Sequence, residues 1–228
     1  GKVMKIGMIG GGGVGQTLGA ALLARGHEVV IGVRNPSAEE LAKPRAQAVP
    51  LADWVAKNGG KVVTFAEAAA FGEVVFNVTQ GAHSLAALTA AKASNLAGKV
   101  LVDVANPLDF SQGMPPFLDP TYAGPTSLGE AIQKAFPQTR VVKAFNTIAA
   151  AVMVEPGLIP GEHDLFISGN DAEAKAAVLE IARSFGWTGF ADLGDIIGAR
   201  AQEAVLPLWV RLWTTGGTHL VNLKVARA

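Results

Sequence analysis

Between residues 10 and 15 the chain reads GGGGVG, which places Gly10, Gly12 and Gly15 on the pattern G-x-G-x-x-G. Glycine has a separate use at each position: a tight turn at the first, close approach of a ligand to the backbone at the second, close packing of helix on strand at the third. A helix opening at Gly13 and Val14 would present free N–H groups and the positive end of its dipole, and both suit a phosphate. The pattern alone is weak. Here a strand-like run (Lys5–Ile9) precedes it, an amphipathic stretch (Val14–Arg25) follows, and a second strand (Glu28–Val33) comes at once. That context points to a pyrophosphate, and so to a dinucleotide.

In such a site a carboxylate is expected about 20 residues further on, where it grips a ribose 2′-hydroxyl. The second strand instead runs out through Gly32, Val33, Arg34 and Asn35, with no acid among them. Arginine offers a permanent charge and a planar set of donors, which match a 2′-phosphate. The predicted cofactor is therefore NADP(H). Its cradle would be Gly10, Gly12, Gly13, Val14 and Gly15, its 2′-phosphate partner Arg34, with Asn35 and Ser37 adding hydrogen bonds.

The elements that must position these residues follow from periodicity. Further strands are predicted at Lys61–Val63, Glu73–Val78, Val100–Val104 and Arg140–Phe145, and their near-continuous apolar character suits a parallel sheet covered on both faces. Possible capping boxes at Ser37…Glu40, Thr64…Glu67 and Ser127…Glu130 mark helix starts between them. The expected fold is α/β: a Rossmann-type, doubly wound, mainly parallel sheet with a small C-terminal helical extension. Residues 1–150 would form the NADP-binding domain. Residues 151–228 would supply a strand (Leu165–Ser168), a helix (Ala172–Phe185), a strand (Thr188–Asp192) and a helical segment from Asp195 that Pro207 kinks. The proline-rich stretch Asn106–Pro125 reads as a long loop, either a binding-site lid or a surface connection. Leu206, Trp209, Val210 and Trp213 form an apolar stripe at helical spacing, which is either core or the seam of a homodimer.

Composition narrows the function further. Nineteen basic residues balance nineteen acidic ones, so no net field draws the chain to nucleic acid or to an anionic membrane. The chain has no cysteine and its four histidines are scattered, which leaves no metal site to predict and fits a reducing cytoplasm. Ile6–Ala24 carries no charge, but its glycine run would break a membrane-spanning helix. The expectation is a cytoplasmic protein without membrane or nucleic-acid partners.

The segments KIGMIGGGGVGQTLGAALLARGHEVVIGVRNP, VVKAFNT, FISGNDAEAK and LPLWVRLWTTGGTHLVNLKVAR occur in this order over almost the whole chain. Together they resemble the deazaflavin-dependent NADP oxidoreductases (the coenzyme F-420:NADP oxidoreductase family) and the related NADPH domains of six-transmembrane metalloreductases. The resemblance implies a homodimer and a small-molecule redox partner, coenzyme F-420 or a flavin. It also implies a nicotinamide lying over the ends of the fourth and fifth strands. The cofactor contacts there would be Val78, Thr79, Gln80, His83, Ala105, Asn106 and Pro107, with Asn146 and Thr147 lining the second substrate's pocket. Members that use the deazaflavin often carry a proline and an aromatic residue just after strand four, where this chain has Thr79, Gln80 and Gly81. Hydride transfer between stacked rings needs no nucleophile and no fixed general acid, so no side chain is singled out as catalytic. The alternatives are an NADPH-dependent reductase of a small imine or carbonyl compound and a non-enzymatic NADPH sensor.

Overall fold

A computed structural model describes residues 1–228. Ten strands form in chain order: β1 (Lys5–Ile9), β2 (Glu28–Val33), β3 (Lys61–Thr64), β4 (Val74–Asn77), β5 (Val100–Asp103), β6 (Leu108–Asp109), β7 (Phe117–Leu118), β8 (Arg140–Ala144), β9 (Leu165–Gly169) and β10 (Phe190–Asp192). Eight of them make one sheet in the order β10-β9-β8-β5-β4-β1-β2-β3. All pairings in it are parallel except β8 with β9. The chain winds outward from β1 in both directions, which is the Rossmann arrangement and opens a crevice beyond the ends of β1 and β4. Register puts Gly32, Ile9, Asn77, Asp103 and Lys143 in one row across the strand ends.

Eleven helices cover the two faces: α1 (Gly13–Ala24), α2 (Ala38–Ala42), α3 (Leu51–Asn58), α4 (Phe65–Phe71), α5 (Gly81–Ala91), α6 (Ala93–Leu96), α7 (Leu128–Ala135), α8 (Ala150–Val154), α9 (Ala172–Phe185), α10 (Ala199–Ala204) and α11 (Leu206–Gly216). Their apolar sides close two cores, one on each face, of 28 and 17 buried residues. Burial on both faces is why the strands read as continuous apolar runs rather than alternating ones. Of the three possible capping boxes, Thr64–Glu67 forms in full. Ser37 and Ser127 each accept the expected backbone N–H, but neither glutamate returns to the N-cap amide, and Glu130 accepts the Ser127 hydroxyl instead. Glu40 pairs with Arg45 at 2.9 Å and Glu130 with Arg200 at 2.8 Å, because a cation holds a carboxylate more strongly than a neutral N–H does.

Two expectations need correction. Asn106–Pro125 is not a structureless loop: β6 and β7 pair as an antiparallel ribbon, Leu108 opposite Leu118, and a short 3₁₀ turn follows at Pro120–Tyr122. The helical segment after Asp195 is three pieces, a 3₁₀ turn (Ile196–Gly198), α10 and α11, with Pro207 in the first turn of α11 where its missing N–H is tolerated. On α11, Leu206 and Val210 are buried in the chain's own core, and the rings of Trp209 and Trp213 lie 5.7 Å apart. The terminal residues fold back over them: Trp209 Nε1 donates to Val221 O, and Asp164 accepts from Val225 N. No helix is long and apolar enough to cross a membrane.

Candidate functional site

The glycine turn joins β1 to α1 at the crevice. Gly10 sits at φ +120°, a conformation that side chains rarely adopt, and a Cβ there would lie 3.0 Å from Val78 O. A Cβ on Gly15 would lie 2.6 Å from Gly10 O, so the helix can start this close to the strand only without a side chain. Gly12 differs, because nothing lies within 4 Å of where its Cβ would be. It occupies the N-cap of α1 with no side chain capping the helix and no acid in the first turn. The first intrahelical bond is Gln16 N to Gly12 O, which leaves the N–H groups of Gly13, Val14 and Gly15 without helical partners. Gln16 steadies this turn from below, its amide bonded to Gly11 O and Val49 O.

Arg34 and Asn35 are exposed just beyond β2. The Arg34 guanidinium lies over the Phe65 ring, 5.8 Å from its centroid, and has no carboxylate partner. On α2, Glu40 is already paired with Arg45 and Lys43, and Glu39 makes no ion pair with Arg34. Ser37 accepts the α2 amide of Glu40 and keeps its own hydroxyl proton to donate. A free cation beside an uncapped helix start fits a dinucleotide that carries an extra phosphate.

The residues expected on the nicotinamide side cluster at the ends of β4, β5 and β8. Val78 N donates to Ile9 O, which ties the loop after β4 to the glycine turn. The Thr79 hydroxyl faces inward, 2.7 Å from Asn77 Oδ1 and 2.8 Å from Ser84 Oγ. Gln80 is the N-cap of α5, and His83 is exposed in that helix's first turn. Gly81 N donates to Asn106 O, and a Cβ on Gly81 would lie 2.5 Å from that oxygen. Asn106 in turn donates its amide to Asn146 O, which brings the loops after β5 and β8 together. Asn146 and Thr147 are buried; Asn146 follows Phe145, a bulky residue held at φ +67°. Such a backbone is costly and persists only where the surroundings impose it, here through packing of Phe145 on Phe185. The Oδ1 atoms of Asn106 and Asn146 are both buried without a partner. An unpaired buried acceptor costs about 1–3 kcal/mol.

Beneath this edge lies a charged cluster that the sequence reading missed. Lys143 and Asp103 have no exposed side-chain surface, and Glu203 has 1%. The Lys143 ammonium is 3.0 Å from Asp103 Oδ2, 3.0 Å from Glu203 Oε2 and 2.7 Å from Ala105 O. Burial works to lower the Lys143 pKa, but the two carboxylates outweigh it and hold the value above that of an ordinary lysine. Glu203 also accepts the amides of Leu128 and Gly129 at the start of α7, while Asp103 Oδ1 accepts from Asn77 Nδ2 and Ala105 N. A polar residue at or next to the end of each of three apolar strands (VVFN, VLVD, RVVKA) was the available signal for the strand members of this cluster. Nothing local marked Glu203.

The model of the family described as coenzyme F420-dependent NADP oxidoreductase matches residues 5–107. Over 231 residues the chain is 30% identical to the F420-dependent NADP reductase of Methanocaldococcus jannaschii, covering 97% of this chain and 100% of that one. It is 33% identical over 211 residues to metalloreductase STEAP3 of Rattus norvegicus, covering 90% of this chain but spanning only 38% of that protein's length. A crystal structure from Arthrobacter sp. FB24, provisionally named an F420-dependent NADP reductase, superposes with a TM-score of 0.92 at 50% identity, over 98% of this chain and 100% of that one. A match to full-length relatives at this identity goes beyond a shared fold: the chain belongs to the coenzyme F420-dependent NADP oxidoreductase family.

Proposed function

We propose that the chain is an NADP(H)-dependent oxidoreductase that passes hydride between the nicotinamide and a deazaflavin such as coenzyme F420, or a flavin-like ring. The carrying observation is the uncapped start of α1 beside an exposed Arg34 that has no carboxylate partner, at the crevice of a doubly wound sheet. Bound there, NADPH supplies two electrons and a proton as one hydride, which leaves NADP⁺ and a reduced acceptor ring that takes its remaining proton from solvent. The chain's own task is placement. The N–H groups of Gly13, Val14 and Gly15 hold the pyrophosphate, and Arg34, Asn35 and Ser37 hold the 2′-phosphate. Val78, Thr79, Gln80, His83, Ala105, Asn106 and Pro107 form the shelf under the nicotinamide; Asn146 and Thr147 wall the acceptor's side. Residues 151–228 add β9 and β10 to the same sheet rather than an all-helical second domain, so nothing in the fold favours reduction of a small imine or carbonyl compound.

With no proton carrier in the step, replacing exposed His83 by Gln should cost far less than the roughly 10²–10⁴-fold lost with a general acid or base. Single-turnover oxidation of NADPH carrying deuterium at the transferred position checks both points. Label should appear on the deazaflavin, and His83→Gln should keep most of the rate. Efficient reduction of an imine or carbonyl compound, with no transfer to coenzyme F420, FMN or FAD, would overturn the reading.

The chain is also proposed to work in the cytoplasm as a homodimer, to which α11 contributes. Leu206 and Val210 are committed to the core, whereas Leu208 and Leu212, one turn apart, are 51% and 37% exposed on the same helix. Light scattering should give twice the chain mass of 23.5 kDa, and a monomer at working concentration would reject the dimer.

A further inference from the structure

The charge buried under the site has no part in the hydride step as proposed, yet it is too expensive to be incidental. Taking an ammonium and two carboxylates out of water carries a desolvation penalty that only well-placed partners offset, and an apolar side chain of similar size would fill the space without it. All three N–H groups of Lys143 are spent, on Asp103, Glu203 and Ala105 O, so none is left to give a proton to a substrate. What the ammonium does is join segments that lie far apart in the chain. Asp103 ends β5 and, through Asn77, reaches the loop that carries Thr79. Ala105 belongs to the proposed nicotinamide shelf. Glu203 brings in α10 and the start of α7.

We propose that Lys143 is the positioning residue of the hydride-transfer cleft, setting the height of the shelf at Ala105 and Asn106 relative to the β4 loop and to α10. This rests on the reading of that edge as the nicotinamide site. The other groups around the cluster are Tyr122, whose hydroxyl is held above its usual pKa by burial and by Asp119 and Glu203, the Glu130–Arg200 pair between α7 and α10, and the uncharged pair Ser168 and Gln202 beside β8 and β9. None of these replaces the ammonium between Asp103 and Glu203.

The test compares full-length Lys143→Met with the unsubstituted chain. In the absence of cofactor, hydrogen–deuterium exchange should speed up in residues 77–83 and 103–108 and stay unchanged in the glycine turn. The calorimetric dissociation constant for NADPH should move by less than about threefold, while single-turnover hydride transfer falls by about a hundredfold, the loss expected for a displacement of about 1 Å. Lys143→Met combined with Asp103→Asn removes the repulsion between the two uncompensated carboxylates but restores none of the ammonium's contacts, so hydride transfer should stay about as slow as in the single variant. Exchange and transfer matching the unsubstituted chain would overturn the proposal, as would equal losses in affinity and rate, or a double variant that recovers most of the rate, which would reduce Lys143 to a neutralising charge. If Lys143→Met does not fold, Asp103→Asn alone keeps the side-chain size and the Lys143–Glu203 contact, and should show the same separation of rate from affinity; parity with the unsubstituted chain overturns the proposal there too. Failure of the functional reading is distinct: the unsubstituted chain would bind NADPH yet reduce no deazaflavin or flavin, while the exchange and affinity data still decide the role of Lys143.

Discussion

Replacing Arg34 by alanine is expected to weaken NADPH binding by roughly ten- to a hundred-fold and to leave NADH binding nearly unchanged. A hydrogen bond to a charged group contributes about 1.5–3 kcal/mol, and about 1.4 kcal/mol corresponds to tenfold in affinity. The guanidinium is exposed, rests on Phe65 and has no competing carboxylate, so its removal should disturb little besides the phosphate contact. The proposed pyrophosphate cradle is backbone at Gly12–Gly15 and is untouched, which is why the NADH arm should stay level. Calorimetric titration with both cofactors decides it. Equal losses for the two would remove the 2′-phosphate assignment, and with it the reason for preferring NADP(H) on this chain's own residues.

The second large effect is expected at Gly81, where one methyl group separates structure from function. In Gly81→Ala the new Cβ would start 2.5 Å from Asn106 O and 2.6 Å from Pro107 Cα, both backbone atoms that no rotamer change can move aside. The strand-end loop carrying Asn106 and Pro107 must shift outward or the start of α5 must lift. Overpacking of this kind costs about 1–3 kcal/mol of stability, which denaturant titration would read. A shelf displaced by about 1 Å should slow hydride transfer by about a hundredfold. NADPH affinity should fall far less, because its main grips lie on β1, α1 and β2. A single-turnover rate within about twofold of the unsubstituted chain would show that the loop at Asn106 does not set the reacting geometry.

The order of elements, the glycine turn and the arginine at the end of β2 were all legible in the sequence, for one physical reason. Each is written in consecutive residues, because strand periodicity, a tight turn and a helix start are local requirements. Thus β1, β2 and α9 occur at the predicted residues, and the glycines take up the turn that their spacing suggested. Partnership across the sheet is another matter. Asn77, Asp103 and Lys143 are 26 and 40 residues apart and become neighbours only because parallel register aligns the ends of β4 and β5 with the penultimate residue of β8. Glu203 reaches them only after β9 and β10 have turned the chain back over the sheet. The same holds for the incomplete capping boxes, where Arg45 and Arg200 took glutamates that local rules assign to the backbone. On α11, likewise, only the folded chain shows that Leu206 and Val210 enter its own core and that the returning tail meets Trp209. Local chemistry determined the uncapped helix start and the unpaired arginine on which the phosphate reading rests. Only the tertiary structure, by bringing distant charges out of water together, decided what holds the rest of the site in place.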